Sequence, residues 1–395
     1  MSDHDSELKP SKPAVWNDPK YRALFFQIVL IIGLGYFIVS IVNNTLSNME
    51  SRGISTGFAF LTEPAGFGIL QSLIEFDESH TYGRTFFVGL LNTLLVAGLG
   101  IFLATILGFA MGIARLSHNW IIAKVATVYI ELFRNIPLLL QIFFWYFAVL
   151  AALPSVKQSM SLGAGVEFNN RGLYLPSPVP ESGFSIVMWL FVIGIIATVF
   201  LARWAHKRQE ETGQQFPVFF SSLGLVFGIP LIVFLLMGSP LSWDYPVLKG
   251  FNFQGGYTII PELLALLLAL TIYTGTFIAE TVRAGINAVS HGQTEAAMAL
   301  GFTRGKTMRL IIVPQAMRVI IPPLTSQYLN LAKNSSLATA VGYPDIVAVF
   351  MGTTLNQTGQ AVEITMMTMG VYLTISLSIS MIMNWYNKKM ALVER

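Results

Sequence analysis

Long apolar stretches separated by short polar segments dominate the chain. An α-helix rises about 1.5 Å per residue, so roughly 20 apolar residues cross the hydrocarbon core of a bilayer. Eight stretches predict membrane-spanning helices, and charges or prolines in the third and seventh argue against straight helices there. They are Leu24–Val42, Phe86–Ala114, Ile121–Leu153, Phe184–Ala202, Phe216–Met237, Ile259–Ala279, Leu310–Leu331 and Ile364–Trp385.

The composition agrees with this pattern and excludes several classes of function. Of the 395 residues, 54% are hydrophobic and only 11% are charged, whereas charged residues make up about 25% of a typical soluble domain. The chain has no cysteine, which excludes disulfides, thiolate metal sites and cysteine nucleophiles. The formal net charge of +3 is too small to suggest nucleic-acid binding. We therefore expect an all-α integral membrane protein.

The distribution of predicted spans and of Pro- and Gly-rich segments divides the chain into four parts. Residues 1–83 hold a polar tail without a signal-peptide core, the first span and a loop. Residues 84–153 and 258–395 hold five spans between them. Residues 154–257, with PSPVPESGF at one end and a Gly-rich exit at the other, look like an insertion of two helices and two outer loops.

Lysine and arginine concentrate on one side of the predicted membrane. An even number of spans places both termini on that side, together with the loops after the second, fourth and sixth spans. Because cytoplasmic loops carry an excess of basic residues, the sequence predicts a multi-pass protein with both termini in the cytoplasm. The basic residues of the three loops are Arg115; Arg203, Lys207 and Arg208; and Arg283, Arg304, Lys306 and Arg309.

The stretch GFTRGKT, Gly301–Thr307, comes close to a phosphate-binding loop. A P-loop needs four residues between its glycines, a strand before them and a helix after them. Here three residues intervene, a helix is predicted before Gly301, and a membrane span follows. The stretch is therefore not expected to bind a nucleotide, and Lys306 is expected to be a solvated basic residue.

A short cytoplasmic helix is predicted just before this stretch. Ser290 and Gln293 fit the S-x-x-Q capping box of a helix start, and Gly301 stands where a terminal glycine ends a helix. About ten residues are too few for a helix that is stable alone in water, so it must pack against something.

This helix resembles a known family signature. Glu295-Ala296-Ala297, then Gly301, then Ile311-Ile312-Val313-Pro314 after nine residues, is similar to the EAA motif of bacterial ABC-importer permeases, with Val313 where leucine is usual. The resemblance implies that residues 290–301 form a coupling helix that docks into a separate ATPase subunit; the alternative is an ordinary surface helix. ATP and Mg²⁺ would bind to that subunit, with no cofactor on this chain. The residues implied in coupling are Glu295, Ala296, Ala297, Leu300, Gly301, Phe302 and Arg304.

Three further blocks, Tyr129–Gln141, Phe277–Ile286 and Lys333–Leu337, resemble those of polar amino-acid permeases. The resemblance implies the five-helix core of a type I ABC importer in a bacterial inner membrane, here with an extra N-terminal helix and the two-helix insertion. A permease extended in this way is most similar to the larger permease of general L-amino acid importers. The implied partners are a second, related permease, two copies of an ABC ATPase and a periplasmic amino-acid-binding protein.

Polar residues within the spans are candidates for a substrate pathway. Glu131 and Arg134, like Glu280 and Arg283, can meet on one helix face; they either pair near the inner boundary or contact substrate. If the third span begins at Pro137, then Ile121–Ile130 lies along the membrane surface. The amides and hydroxyls after the prolines of the seventh span either line a passage or bond between helices. The candidates are Asn92, Thr93, Glu131, Arg134, Gln141, Glu280, Arg283, Gln327, Asn330, Lys333, Asn334, Ser335 and Ser336.

The function predicted is the permease subunit of an importer that moves L-amino acids into the cytoplasm, driven by ATP hydrolysis on a separate subunit. The main alternative is an ion-coupled secondary transporter or channel without an ATPase partner. An intramembrane enzyme is a remote third class, because the spans hold no histidine cluster, paired catalytic aspartates or G-x-S-x-G motif.

Overall fold

The computed structural model describes residues 19–51, 53 and 56–390, and the predicted polar tail lies outside them. The described part is mainly helical. Seven of its helices are long and apolar enough to cross a membrane, and one bent pair adds an eighth candidate. The helices are α1 Pro19–Ser51, α2 Tyr82–Arg115, α3 Trp120–Asn135, α4 Leu138–Phe143, α5 Phe184–Thr212, α6 Val218–Leu223, α7 Ile229–Leu236, α8 Pro261–Asn287, α9 His291–Ala299, α10 Arg304–Thr307, α11 Val313–Asn334, α12 Leu355–Thr358 and α13 Ala361–Met390.

Several helices continue through π-helical turns or are joined by 3-10 turns. Their bounds matter because such turns mark places where the regular backbone ladder is disturbed. The π-helical stretches are Phe144–Leu150 after α4, Gly224–Gly228 between α6 and α7, Met308–Ile312 between α10 and α11, and Val347–Thr354 before α12; the 3-10 helices are Ala59–Thr62, Val156–Gln158 and Ser335–Val341.

The loops of the insertion contain strands, which the sequence analysis did not predict. One antiparallel sheet has the order β1-β2-β3-β8, and two hairpin-like pairs are formed by β4 with β5 and by β6 with β7. Strands β1–β3 precede α5 in the sequence and β8 follows α7. The pairing of β3 with β8 therefore joins the two ends of the insertion. The strands are β1 Met160–Gly163, β2 Val166–Asn169, β3 Gly172–Leu175, β4 Ser177–Pro180, β5 Leu241–Asp244, β6 Val247–Lys249, β7 Asn252–Gln254 and β8 Tyr257–Ile259.

The two ends of helix α8 define the two ends of the bundle. It begins two residues after β8 and ends four residues before α9, so the strands lie at one end of the bundle and α9 at the other. We call these the strand end and the α9 end. The first residue of α2 and the last residue of α13 lie at opposite ends, since Tyr82 bonds to Gln357 just before α13, and Met390 accepts a hydrogen bond from Arg318 near the start of α11.

The core is built on close packing of α2, α8 and α11. A Cβ atom at Gly112 of α2 would lie 2.7 Å from the carbonyl oxygen of Ala279, so only glycine allows this approach of α2 to α8. Further along α8, Gly285 faces Ile320 of α11. Fully buried aliphatic side chains fill the space around this junction, among them Leu266, Leu270, Ile278, Ile320, Ile321 and Leu331.

The two helical arms of the insertion pack against each other. Gly194 of α5 approaches the backbone of Leu225 so closely that a Cβ atom would lie 2.5 Å from its carbonyl oxygen. Most other side chains of α5 and of the α6–α7 segment are exposed, which suits helices that are surrounded by lipid.

The third predicted span is not one helix. Helix α3 and the segment Leu138–Leu150 meet at an angle of 106°, which confirms the expectation that Ile121–Leu153 is not a straight helix. The alternative start at Pro137 agrees with this break, since proline disfavours the helical conformation of the residue before it. The second segment ends at Leu150 rather than Leu153.

The seventh span also differs from its prediction. Helix α11 continues through Pro322 and Pro323, so these prolines do not end it. The irregular backbone lies after α11 instead, in residues 335–358, where a 3-10 helix, a short loop and a π-helical stretch lead to α12 and then to α13. This segment was not predicted. The conformation of this segment matters for the candidate site because the segment carries Ser335 and Ser336.

Candidate functional site

Helix α9 is closed at both ends by local hydrogen bonds. The Ser290 side chain accepts a hydrogen bond from the N–H of Gly292 at 3.3 Å. At the other end Gly301 has φ +78°, and the N–H of Phe302 donates to the carbonyl of Ala297 at 3.0 Å. That 6→1 bond is the Schellman arrangement, in which the left-handed residue is almost always glycine. Gly301 therefore ends α9 as the sequence indicated.

The reciprocal half of the predicted capping box is absent from α9. The side chain of Gln293 does not return to Ser290. Instead its oxygen accepts a hydrogen bond of 3.2 Å from the side-chain nitrogen of Gln315, in the first turn of α11. Local capping and a contact between helices compete for the same amide, and the tertiary contact prevails here. The bond ties α9 to a core helix.

One face of α9 packs inward and the rest is exposed. Ala297 is fully buried, whereas Leu300 is 77% exposed and Met298 44% exposed. Glu295 and Ala296 are exposed as well. Apolar side chains that project from a short capped helix, with a carboxylate beside them, form a surface suited to a protein partner. Phe302 and Arg304 continue this surface just beyond the helix.

Four charged residues form an ion-pair network toward the α9 end. Arg115, the last residue of α2, pairs with Glu280 of α8 and reaches Glu131 of α3 at 3.5 Å. Arg283 binds the other oxygen of Glu280 at 3.0 Å. Glu131 thus pairs with Arg115 rather than with Arg134, which is exposed. The network fastens the ends of three helices together.

Gln141 occupies the bend between α3 and α4. It is buried, and its side-chain nitrogen donates to the carbonyl oxygens of Phe133 at 2.8 Å and Ile136 at 3.0 Å. The carbonyl of Phe133 lies in the last turn of α3 and that of Ile136 belongs to the residue that follows the helix, so no helical N–H reaches either of them. Gln141 therefore replaces the backbone hydrogen bonds that the bend removes.

Asn92 and Thr93 of α2 hold the loop at residues 342–346. The side-chain nitrogen of Asn92 donates to the carbonyl of Pro344 at 2.9 Å. The hydroxyl of Thr93 accepts from the N–H of Ile346 at 3.0 Å. Both side chains are fully buried. The irregular backbone after α11 is thus satisfied by protein groups, as backbone at membrane depth must be.

Three of the candidate residues meet in one cavity. Gln327, Asn330 and Asn334 lie on one face of α11, spaced by three and four residues, and they face α8 across a cavity of about 220 Å³. Among the other candidates on this segment, Lys333 is exposed, while the hydroxyls of Ser335 and Ser336 bond to backbone carbonyls three residues earlier. The α8 side of the cavity is lined by Tyr273, Thr274 and Phe277.

Sequence reasoning missed several members of these arrangements. Arg115 entered only as a mark of orientation, although its place at the end of a long apolar stretch also signals a charge that needs a partner. Tyr273, Thr274 and Phe277 share one helix face at spacings of one and three residues, a weak signal within an apolar span. No group of three or more metal-binding side chains is found in the described part of the chain.

Comparison with known proteins identifies the family. A model of the family described as "Binding-protein-dependent transport system inner membrane component" matches residues 194–391. The chain belongs to this family. It is 54% identical over 395 residues to the permease protein YhdX of Escherichia coli (strain K12), with both chains covered in full. Against the general L-amino acid transport system permease protein AapQ of Rhizobium johnstonii it is 53% identical, over 96% of this chain and 94% of that one.

One similar solved structure is described as an amino acid ABC transporter crystallised with histidines. It is 20% identical, has a TM-score of 0.45, and the match covers 78% of this chain and 95% of that one. The family membership confirms the resemblance to ABC-importer permeases that the EAA residues indicated. The protein is accordingly a multi-pass component of an inner membrane.

Proposed function

We propose that this chain is the permease subunit of an ATP-driven importer of L-amino acids, and that α9 is the helix on which the ATPase subunit docks. The observation that carries the proposal is the geometry of α9. It is capped at both ends, presents Glu295, Leu300 and Phe302 outward, and bonds to α11 through Gln293. The names of the relatives, which include an amino-acid permease and a general L-amino acid permease, support the substrate class.

The cavity between α8 and α11 is proposed as the substrate passage. A zwitterionic amino acid needs donors for its carboxylate and acceptors for its ammonium group, and a side-chain amide supplies both. Gln327, Asn330 and Asn334 bring three amides to one small cavity, beside the aromatic rings of Tyr273 and Phe277. Most of the remaining polar candidates are proposed to hold the framework, because their hydrogen bonds or ion pairs lie within it. Arg134 and Lys333 are exposed and are given neither role.

Helix α11 connects the two sites. Gln315 at its start bonds to α9, and Gln327 lies twelve residues further on, about 18 Å along the helix. ATP, bound with Mg²⁺ on the partner subunit, would drive that subunit between two states. A difference in its contacts with α9 would shift α11 as a rigid body, opening the cavity to one side and then the other. This chain would perform no phosphoryl transfer.

The proposed orientation follows from the charges. The α9 end carries Arg115, Arg208 and Arg304 and is assigned to the cytoplasm; both termini would lie there. The strand end would then face the periplasm and receive amino acid from a binding protein. A second, related permease and two copies of the ATPase subunit would complete the assembly.

Purification of the tagged chain from native membranes, followed by mass spectrometry, tests this proposal. We expect an ABC ATPase and a second permease to co-purify with it. Glu295→Lys should release the ATPase, because it reverses the charge on the exposed face of α9. Glu210→Lys, at the exposed end of α5, is the matched control and should retain it. Retention of the ATPase by Glu295→Lys, or its absence from the native chain, would contradict the docking role.

A further inference from the structure

A small basic pocket lies at the strand end, outside the proposed transport pathway. Its volume is about 220 Å³, and an aromatic ring forms part of its rim. The nitrogen of Lys157 lies 5.4 Å from the centre of the Phe251 ring. The residues that line the pocket are Ser155, Val156, Lys157, Asn170, Arg171 and Phe251.

The walls of the pocket are held in place by hydrogen bonds. The N–H of Arg171 donates to the Asn169 side chain at 2.8 Å, and the guanidinium of Arg171 donates to the carbonyl of Phe251 at 3.2 Å. Asn169 is fully buried and bonds to Ser159 at 2.9 Å. Two loops distant in sequence are thus fastened around one cavity, so the site does not depend on a single mobile side chain.

The two cations of this pocket lack acidic partners. Neither Lys157 nor Arg171 takes part in any ion pair formed among the described residues. In contrast, Arg115, Arg283 and Lys207 each pair with a glutamate. Arginine and lysine that converge without a carboxylate favour a bound anion, and the planar guanidinium suits the oxygens of a phosphate group.

The backbone on both sides of the pocket comes directly from membrane helices. Ser155 follows the π-helical stretch that ends at Leu150, and that stretch reaches the start of α8 through a 2.8 Å hydrogen bond between Tyr146 and Glu262. Arg171 precedes Gly172, which packs against the carbonyl of Ile259, two residues before α8 begins. The pocket therefore lies beside the ends of two membrane-spanning segments, and the headgroups of a bilayer border its hydrocarbon core at the ends of such segments.

Phe251 fits this depth. Its side chain is 78% exposed, at the tip of the β6–β7 hairpin, which is anchored by a 2.9 Å hydrogen bond between Asn252 and Tyr174. An exposed apolar ring beside two cations matches a surface where charged headgroups meet acyl chains. A soluble anion would leave the ring in water.

We propose that Lys157, Arg171 and Phe251 bind the phosphate headgroup and upper acyl chain of an anionic phospholipid in the leaflet at the strand end. The lipid would brace the base of the insertion against the core, because it would touch both the segment after Leu150 and the β6–β7 hairpin. This site is separate from the transport pathway, so its test does not depend on transport.

The probe is phosphatidylglycerol with a photoactivatable group near its glycerol, added in trace amount to phosphatidylcholine proteoliposomes that contain the full chain. Illumination and peptide mapping should place adducts within residues 155–171 and 247–254. Lys157→Gln/Arg171→Gln should lower this labelling about tenfold or more, since each basic residue at an anionic surface contributes a factor of about five. Lys249→Gln, an exposed lysine on the same hairpin, should label as the native chain does.

Three results would overturn the assignment. Equal labelling by a phosphatidylcholine probe would show apolar contact without headgroup recognition. Loss of labelling on addition of millimolar glycerol 3-phosphate would assign the pocket to a soluble phosphate. Unchanged labelling in Lys157→Gln/Arg171→Gln, with weaker docking of a binding protein, would assign it to a protein partner. Lys157→Arg/Arg171→Lys keeps both charges and should retain labelling, which separates loss of binding from loss of folding.

Discussion

The side-chain nitrogen of Gln315 lies 3.2 Å from the side-chain oxygen of Gln293, and this hydrogen bond joins α9 to the first turn of α11. Since α11 also lines the cavity beside Asn330, a single helix connects α9, which carries the exposed Glu295 and Ala296, to the proposed passage.

Gln315→Ala should weaken this connection without preventing the ATPase from docking. The bond is exposed, so its loss is expected to cost about 1 kcal/mol and to lower ATP-driven uptake about two- to fivefold. Uptake and ATPase co-purification should be measured on the same preparation. Gln209→Ala, on the exposed side of α5, is the control. Equal uptake by the two variants would show that the bond plays no part in coupling.

Gly301→Ala should impair docking through the shape of α9. At φ +78° a residue with a Cβ atom costs about 1–2 kcal/mol, which favours unwinding of the last turn around Leu300. The fraction of ATPase retained on purification should fall about fivefold or more. Gly305→Ala provides the contrast, because Gly305 lies in α10 with nothing within 4 Å of the added methyl group. If both variants bind the ATPase equally well, the cap is not required.

The helical framework and the coupling motif could be predicted from the sequence because both depend on local patterns. Apolar length predicted the spans, and the spacing from Ser290 to Gly301 predicted α9. The partner of Gln293 could not be predicted, since Gln315 is close only after the chain reverses direction beyond α10. The same holds for Arg115, which meets Glu131 and Glu280 only once three helices are packed.

Gln141→Leu should destabilise the bend between α3 and α4. The substitution leaves the carbonyls of Phe133 and Ile136 without their side-chain donor, at about 1–3 kcal/mol for each buried group left unpaired. Thermal unfolding in detergent should therefore occur at a lower temperature. Gln158→Leu, at an exposed position in the strand-end loop, should unfold like the native chain. A Gln141→Leu protein of native stability would contradict the bracing role.

Gly112→Ala should lower stability by crowding the contact between α2 and α8. The new methyl group would lie 2.7 Å from the carbonyl oxygen of Ala279, and such overpacking typically costs about 1–3 kcal/mol. Gly98→Ala, in the same helix, has open space around it and should be neutral or slightly stabilising. The midpoint of thermal unfolding should therefore be lower for Gly112→Ala than for Gly98→Ala. Equal midpoints would show that α2 can move away from α8 at little cost.

The strands of the insertion escaped prediction for a physical reason. β3 pairs with β8, and their partners Leu173 and Ile259 are separated by two membrane helices in the sequence. Each strand is only three or four residues long, too short for an alternating pattern to stand out from a loop. The cavity between α8 and α11 depends likewise on packing, so its α11 amides were evident in the sequence and its α8 side was not.

The central claim is that uptake through this chain is driven by a separate ATPase. Its most direct test is uptake of a labelled L-amino acid into proteoliposomes that contain the chain with its co-purified permease and ATPase, a binding protein outside and ATP inside. The account predicts uptake that requires ATP, persists when ionophores remove proton and sodium gradients, and is lost in Glu295→Lys. Uptake by the chain without ATPase, driven by an ion gradient and abolished by ionophores, would contradict it.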